Sequence, residues 1–328
     1  MILRIFCVFG TLHNMCIPIL HKMTVLSIGN PNKKMSDFSS VQPKNITILY
    51  ISRNAIDFLL YILYNNNNGE VCPQRRESAI FYESGGETMD CSMISELGNR
   101  EINEDFARTA TRDTLSCYVL ADGLGGHGRG EVASEMAVEA VISLFEEKGE
   151  LSAQFLAEAF EKAQAALLAK QAELRAFSDL KTTLTVLICD ETSAIWGYIG
   201  DSRLYVFHRN KDVLRTLDHS VPQMLVNARE IKEKDIRLHP DRNCLLRVMG
   251  IPWEGKKYEI SEVRPLSKCQ AFLLCSDGFW ECITEKEMCR HLKKTKTAQD
   301  WMALMLADVK KNGSGMTMDN HTAIAVRI

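Results

Sequence analysis

Residues 120–131 read Leu-Ala-Asp-Gly-Leu-Gly-Gly-His-Gly-Arg-Gly-Glu, with five glycines, two acids, one histidine and one arginine. Glycine tolerates positive φ and carries no Cβ, so such a stretch can bring backbone close to a ligand. An aspartate followed at once by glycine offers a carboxylate and an accessible carbonyl to one hard cation. Asp122 and Gly123 are therefore the first candidate metal donors. Two more aspartates stand in comparable places: Asp277, just past the apolar run 271–275 and again before glycine, and Asp319, just before the apolar run 322–328. Glu104 and Asp105 follow a turn and would add oxygens. Carboxylates at neighbouring strand ends repel one another unless a cation neutralises them. An all-oxygen donor set suits magnesium or manganese and argues against zinc. Each aspartate taken alone is better read as a cap or turn residue, since Asp-Gly is a common turn pair.

The elements that must position these groups become legible from Met89 onward. Strands are expected at 92–97, 115–121, 183–189, 194–199, 204–208, 271–275 and 322–328. Val132, Met136, Ala140 and Leu144 recur at helical spacing, and further helices are expected over 153–177 and 297–309. Short polar connections join the strands 183–189, 194–199 and 204–208, which predicts an antiparallel meander. The stretch 217–250 is polar, with two prolines, and reads as a helical excursion from the sheet. Sheets covered by helices follow, rather than regular βαβ crossovers.

Whole-chain properties narrow the field. The 328 residues are 46% hydrophobic and 25% charged, with a net charge of −3, which suggests no nucleic-acid partner. Eleven cysteines form no C-x-x-C pair and no zinc spacing, so a reduced, cytoplasmic protein is expected. No uninterrupted apolar run reaches the ~18 residues of a membrane span; residues 46–64 are broken by Arg53, Asn54 and Asp57. Residues 1–88 lack sustained periodicity. They read as a poorly ordered extension, or as upstream sequence translated from a start codon set too early.

Six segments then acquire a joint meaning. Gly98-Asn99-Arg100-Glu101-Ile102-Asn103-Glu104-Asp105, Ala121-Asp122-Gly123-Leu124-Gly125-Gly126-His127-Gly128, Thr182-Thr183-Leu184, Gly200-Asp201-Ser202-Arg203, Ser276-Asp277-Gly278 and Asp319-Asn320 resemble, in order, the motifs of the metal-dependent protein phosphatases of type 2C in their bacterial style. The resemblance covers about residues 90–328. It implies an α+β fold, a four-layer αββα sandwich with two central, mainly antiparallel sheets flanked by helices. The catalytic domain would span 89–328, with the family's flap at about 218–250, including Asp218-His219-Ser220.

The resemblance also implies a centre of two Mn²⁺ or Mg²⁺ ions. Asp122 would bridge them, Asp277 and Asp319 would hold one, and Glu104 and the Gly123 carbonyl would serve the other, with Asp105 in support. Arg100 would bind the substrate phosphate, because a planar guanidinium can pair two phosphate oxygens. Asp179 and Glu281 fall where some members bind a third, weaker metal, although Lys181 stands where glycine is common. Asp201 is placed in a hairpin turn and outside the ligand set. His127 receives a structural role, and no general acid is assigned.

The implied activity is hydrolysis of phosphoserine and phosphothreonine in proteins by direct attack of a metal-bridging water, without a phosphoenzyme. Phosphorylated proteins would be the partners of a monomeric enzyme. The alternatives are a non-catalytic signalling module with the same fold and a small-molecule phosphohydrolase.

Overall fold

The computed structural model describes residues 46–50, 60–64, 89–124, 129–175, 179–209 and 212–328. The chain divides into two units, residues 1–75 and 76–328. In the first, β1 (Ile46–Tyr50) and β2 (Leu60–Tyr64) pair antiparallel, with Ile48 opposite Ile62. The expected disorder and early start of the extension fall otherwise outside the described residues, as does the expected structural role of His127.

The second unit runs β3 (Asp90–Glu96), β4 (Asp105–Arg112), β5 (Leu115–Leu124), α1 (Gly130–Lys148), α2 (Ala153–Leu174), β6 (Lys181–Thr182), β7 (Leu184–Cys189), β8 (Ser193–Ile199), β9 (Arg203–His208) and β10 (Val213–Arg215). It continues with α3 (Val221–Asn227), β11 (Glu259–Ile260), β12 (Arg264–Pro265), β13 (Cys269–Cys275), α4 (Asp277–Trp280), α5 (Glu285–Lys294), α6 (Ala298–Gly313) and β14 (His321–Arg327). One sheet has the order β11-β8-β7-β5-β4, with β12 also on β8 and β6 on β5; the other has the order β10-β9-β13-β14-β3. Every pairing is antiparallel.

Period-two alternation sorts the side chains into three cores. Along β5, Cys117, Val119 and Ala121 face α1 and α2, where they meet Ala137, Val141, Phe145 and Phe160. Tyr118 and Leu120 face the other way, into a core shared with Leu204, Phe272, Leu274, Ile324 and Val326 of the second sheet. The outer face of that sheet, with Leu273 and Ala325, packs on Trp301 and Met305 of α6 and Met288 of α5. Helix, sheet, sheet, helix is thus the layer order, as the resemblance implies. Each fully buried large apolar side chain contributes about 1.5–3 kcal/mol relative to exposure.

Hydroxyl N-caps start the helices: Ser152 accepts from Phe155 N, Thr297 from Asp300 N, and Thr284 forms a capping box with Glu287. The structure departs from the expected pattern in three places. The strands 183–189 and 194–199 pair as β7 and β8, but β9 joins β10 and β13 in the second sheet. The turn 200–203 therefore carries the chain between sheets and is no hairpin. β4, an edge strand carrying Arg108 and Arg112, and helix α5 were not expected. The excursion holds only α3 and a short 3-10 helix, Glu233–Leu238.

Candidate functional site

Four carboxylates meet where the edges of the two sheets come together. Asp105 opens β4 and lies directly opposite Asp122 of β5 in the antiparallel register, so two like charges share one face of a strand pair. Asp277 opens α4 from the end of β13, within hydrogen-bonding reach of Asp122. Asp201, in the turn between sheets, adds its charge to that around Asp122 and is itself repelled by Asp277. Asp105 and Asp201 are buried, whereas Asp122 and Asp277 keep part of their surface open.

Burial and mutual repulsion raise every one of these pKa values. Burial, with Ser276 and Thr322 opposing it by hydrogen bonding, pushes Asp105 up to about 7. Asp277 is pushed up to about 6 by burial and then by Asp319. Asp122 lies well above the usual carboxylate range because of burial and then the charges of Asp105 and Asp277. Asp201 is raised in the same way, by burial and then Asp277.

Backbone and hydroxyl contacts fix the cluster from behind. Asp122 N donates to Thr183 Oγ1 at 2.8 Å, while Thr183 N and Thr182 Oγ1 donate to the Asp122 carbonyl at 2.8 and 2.9 Å. Ser276 Oγ donates to Asp105 Oδ2 at 2.7 Å, and Asn320 Oδ1 accepts from Glu104 N at 2.9 Å. Gly123 has no room for a side chain: a Cβ there would collide with the Gly130 carbonyl and the Glu104 backbone. That close approach sets the Glu104 carboxylate at the start of α1, where Gly130 N donates to it and the helix N-terminus favours negative charge.

At the open side, Arg100 Nη2 meets Asp319 Oδ2 at 2.6 Å, and both side chains are exposed. Among the described residues no group of three His, Cys, Asp or Glu forms a finished metal cage; Asp319 is turned onto Arg100. The donor chemistry nevertheless fits a hard divalent cation. All donors are oxygen, their charges repel, and Asp105 Oδ1 is buried without a hydrogen-bond partner.

A family model described as protein phosphatase 2C matches residues 95–318. The chain belongs to that family. It is similar to the serine/threonine phosphatase stp of Listeria monocytogenes, with 32% identity over 235 residues covering 69% of this chain and 90% of the relative. The crystal structure of the serine/threonine phosphatase Stp1 from Staphylococcus aureus shares 26% identity and a TM-score of 0.66, covering 77% of this chain and 99% of that one. The PstP catalytic domain, solved in complex with two manganese ions, shares the fold at 24% identity and a TM-score of 0.62, over 73% of this chain and 97% of that one.

Among the residues expected for this protein phosphatase 2C site, the structure gathers Glu104, Asp105, Asp122, Gly123, Asp277 and Asp319, with Arg100 at the rim. Asp179 and Glu281 are each engaged by an arginine: Arg129 Nη1 lies 2.9 Å from Asp179 and Arg242 Nε 3.1 Å from Glu281. Burial and Asp277 still push Glu281 up to about 7. Asp201 is the residue that sequence reasoning set aside. Its placement in a tight turn was right in kind, but a turn that crosses between sheets delivers its carboxylate to the cluster. Its position two residues before a strand, like that of Asp319, was the available signal.

Proposed function

We propose that residues 89–328 form a metal-dependent protein phosphatase that hydrolyses phosphoserine and phosphothreonine. The observation that carries this reading is the packing of Asp105, Asp122, Asp201 and Asp277 against one another with raised pKa values and one orphaned buried oxygen. A cluster of that kind is stabilised by cations and has no evident use in a scaffold, which disfavours the non-catalytic alternative.

Asp122, Asp277, Asp319, Glu104 and the Gly123 carbonyl would hold two Mn²⁺ or Mg²⁺ ions, with Asp105 supporting them. When bound, such ions acidify and orient water for attack on phosphorus and offset charge on the phosphoryl oxygens. Arg100 binds the substrate phosphate at the rim, where its exposed guanidinium already faces the acidic cluster. No nucleophilic side chain is needed. Ser276 is occupied as donor to Asp105 and acceptor from Thr322 N, and burial pushes the thiol of Cys275 far up. The flap presents exposed apolar side chains at Leu217, Met224, Leu238 and Leu246, a surface suited to the residues around a phosphorylated side chain.

Turnover of p-nitrophenyl phosphate with and without Mn²⁺ tests the chemistry; absence of manganese-dependent hydrolysis would refute it. Phosphopeptide kinetics separate a protein substrate from a small molecule. No helix among the described residues is long and apolar enough to cross a membrane, and the reading extends to a monomeric enzyme acting in the cytoplasm. The arginine pairs on Asp179 and Glu281 weigh against a third ion.

A further inference from the structure

Outside the carboxylate cluster, a heavily bonded buried group is Arg203, where the turn between sheets enters β9. Its side chain is 2% exposed and that of Asp218 is 1% exposed. Arg203 Nε donates to Asp218 Oδ1 at 2.8 Å and Nη2 to Oδ2 at 2.7 Å, the parallel two-bond pairing that a guanidinium makes best. Nη1 donates to Tyr205 Oη at 3.0 Å, and the guanidinium lies 3.4 Å from the centre of the Trp280 ring. The catalytic reading gives none of these contacts a role.

The neighbouring His219 holds the other end of the same turn. Its backbone N donates to the Gly200 carbonyl at 2.9 Å, and its Nδ1 accepts from Gly200 N at 3.1 Å. Gly200 has a φ of +104°, and a Cβ there would run into Thr183, so the turn needs both glycine and external partners to keep this shape. The ring is stacked on Tyr198 at 5.0 Å. Burial, then Arg247 and Lys256, push the His219 pKa down to about 3. The ring is therefore neutral, with Nδ1 free to accept and the proton on Nε2, which is buried without a hydrogen-bond partner, 4.0 Å from Glu259 Oε1.

From the clamped turn, two short routes lead to the cluster. Ser202 Oγ is hydrogen-bonded to Thr183 Oγ1 at 2.8 Å, and Thr183 holds the backbone of Asp122. Trp280 Nε1 donates to the Asp201 carbonyl at 3.0 Å, and Trp280 ends the single-turn helix that Asp277 begins. Asp218 and His219 are hydrogen-bonded to none of the proposed metal donors. They sit at the root of the flap and grip a turn whose far side holds Asp201, Asp122 and Asp277.

We propose that Asp218 and His219 are positioning residues that fix the Gly200–Arg203 turn and, through Ser202–Thr183 and Trp280, set the spacing of Asp122, Asp201 and Asp277 for divalent metal. The root of the flap is then part of the metal centre's frame. This rests on the reading of the cluster as a metal site. Outer partners that orient ligands contribute through geometry, and their loss weakens binding without removing a donor.

Calorimetric titration of the full chain with MnCl₂ tests the inference. Asp218→Asn and His219→Leu are expected to weaken Mn²⁺ binding by about tenfold or more, the usual range for losing an outer partner. His219→Asn should recover most of it, because the Asn Oδ1 can take the Gly200 N–H. Hydrogen exchange of the Gly200 amide should be slow in the wild type and in His219→Asn and fast in His219→Leu. Folded Asp218→Asn and His219→Leu proteins with wild-type Mn²⁺ affinity would overturn the inference and leave the phosphatase reading intact. If circular dichroism shows Asp218→Asn to be unfolded, the His219 pair decides. A wild-type chain that binds no Mn²⁺ overturns the metal reading, and this inference with it.

Discussion

Two groups of charged side chains lie a few residues apart in this protein and obey opposite rules. Around Arg203 the charges are of opposite sign and complete: Asp218 takes two bonds from the guanidinium, Tyr205 a third, and Tyr205 in turn donates to Glu285 at 3.2 Å. Around Asp122 the charges are all negative, and one Asp105 oxygen has no partner. The first group needs nothing from outside. The second is stable only when protonated or when cations enter. Burial of charge is thus no mark of function in itself; burial left unbalanced is.

The largest expected effect comes from breaking the unbalanced group. Asp122→Ala should abolish Mn²⁺-dependent turnover of p-nitrophenyl phosphate while the metal-free chain melts at or above the wild-type temperature, since one repelling charge is gone. Wild-type turnover in that variant would break the contrast. The balanced group should behave in the reverse manner. Asp218→Ala leaves the Arg203 guanidinium buried without its counter-charge and should cost about 3–5 kcal/mol of stability in urea denaturation.

A change of pH sharpens the contrast without mutation. Asp105 and Asp277 are raised to about 7 and about 6, above the ~4 of an unfolded aspartate. The stability they permit is therefore fully present below about pH 4 and is lost as pH rises from there through 6 and 7. His219 has the opposite sign: lowered to about 3, it contributes stability above its unfolded value of about 6.5 that is lost as pH falls toward 3. Above the His219 window only the carboxylates act. The metal-free protein should melt at a lower temperature at pH 8 than at pH 6.5, and saturating Mn²⁺ should remove the difference. The smallest effect belongs to exposed pairs. Lys257→Ala, which removes a partner of Glu161 at 2.8 Å, should shift stability by no more than about 1 kcal/mol.

Much of this was legible in the sequence, for identifiable reasons. The apolar alternation of β5 and β13 and the helical spacing of α1 are local patterns set by burial on a known face, so those elements stood where expected. The candidate donors were legible because each aspartate adjoins a strand end or a glycine. Local pattern could not tell that β8 and β9 enter different sheets, because a four-residue polar connection serves a hairpin and a crossing between sheets alike. Asp201 was missed for that reason. β4 was obscured by its arginines, which suit an edge strand facing solvent and α1; Arg108 reaches Glu139 at 2.5 Å. Helix α5 did carry a readable start, the Thr284 and Glu287 capping box, in a stretch too charged to show an apolar stripe at first sight.

The division of the donors between the sheets has a mechanical consequence. Asp105 and Asp122 belong to strands of one sheet, while Asp277 and Asp319 adjoin the ends of strands in the other. Glu104 and Asn320, joined by a hydrogen bond at this border, are 216 positions apart in the chain. An ion held there would work as a reversible rivet between the two layers, closing a long loop that thermal motion would otherwise prise open. Cation concentration would thereby set how firmly the two halves of the sandwich are fastened at the rim where substrate must enter.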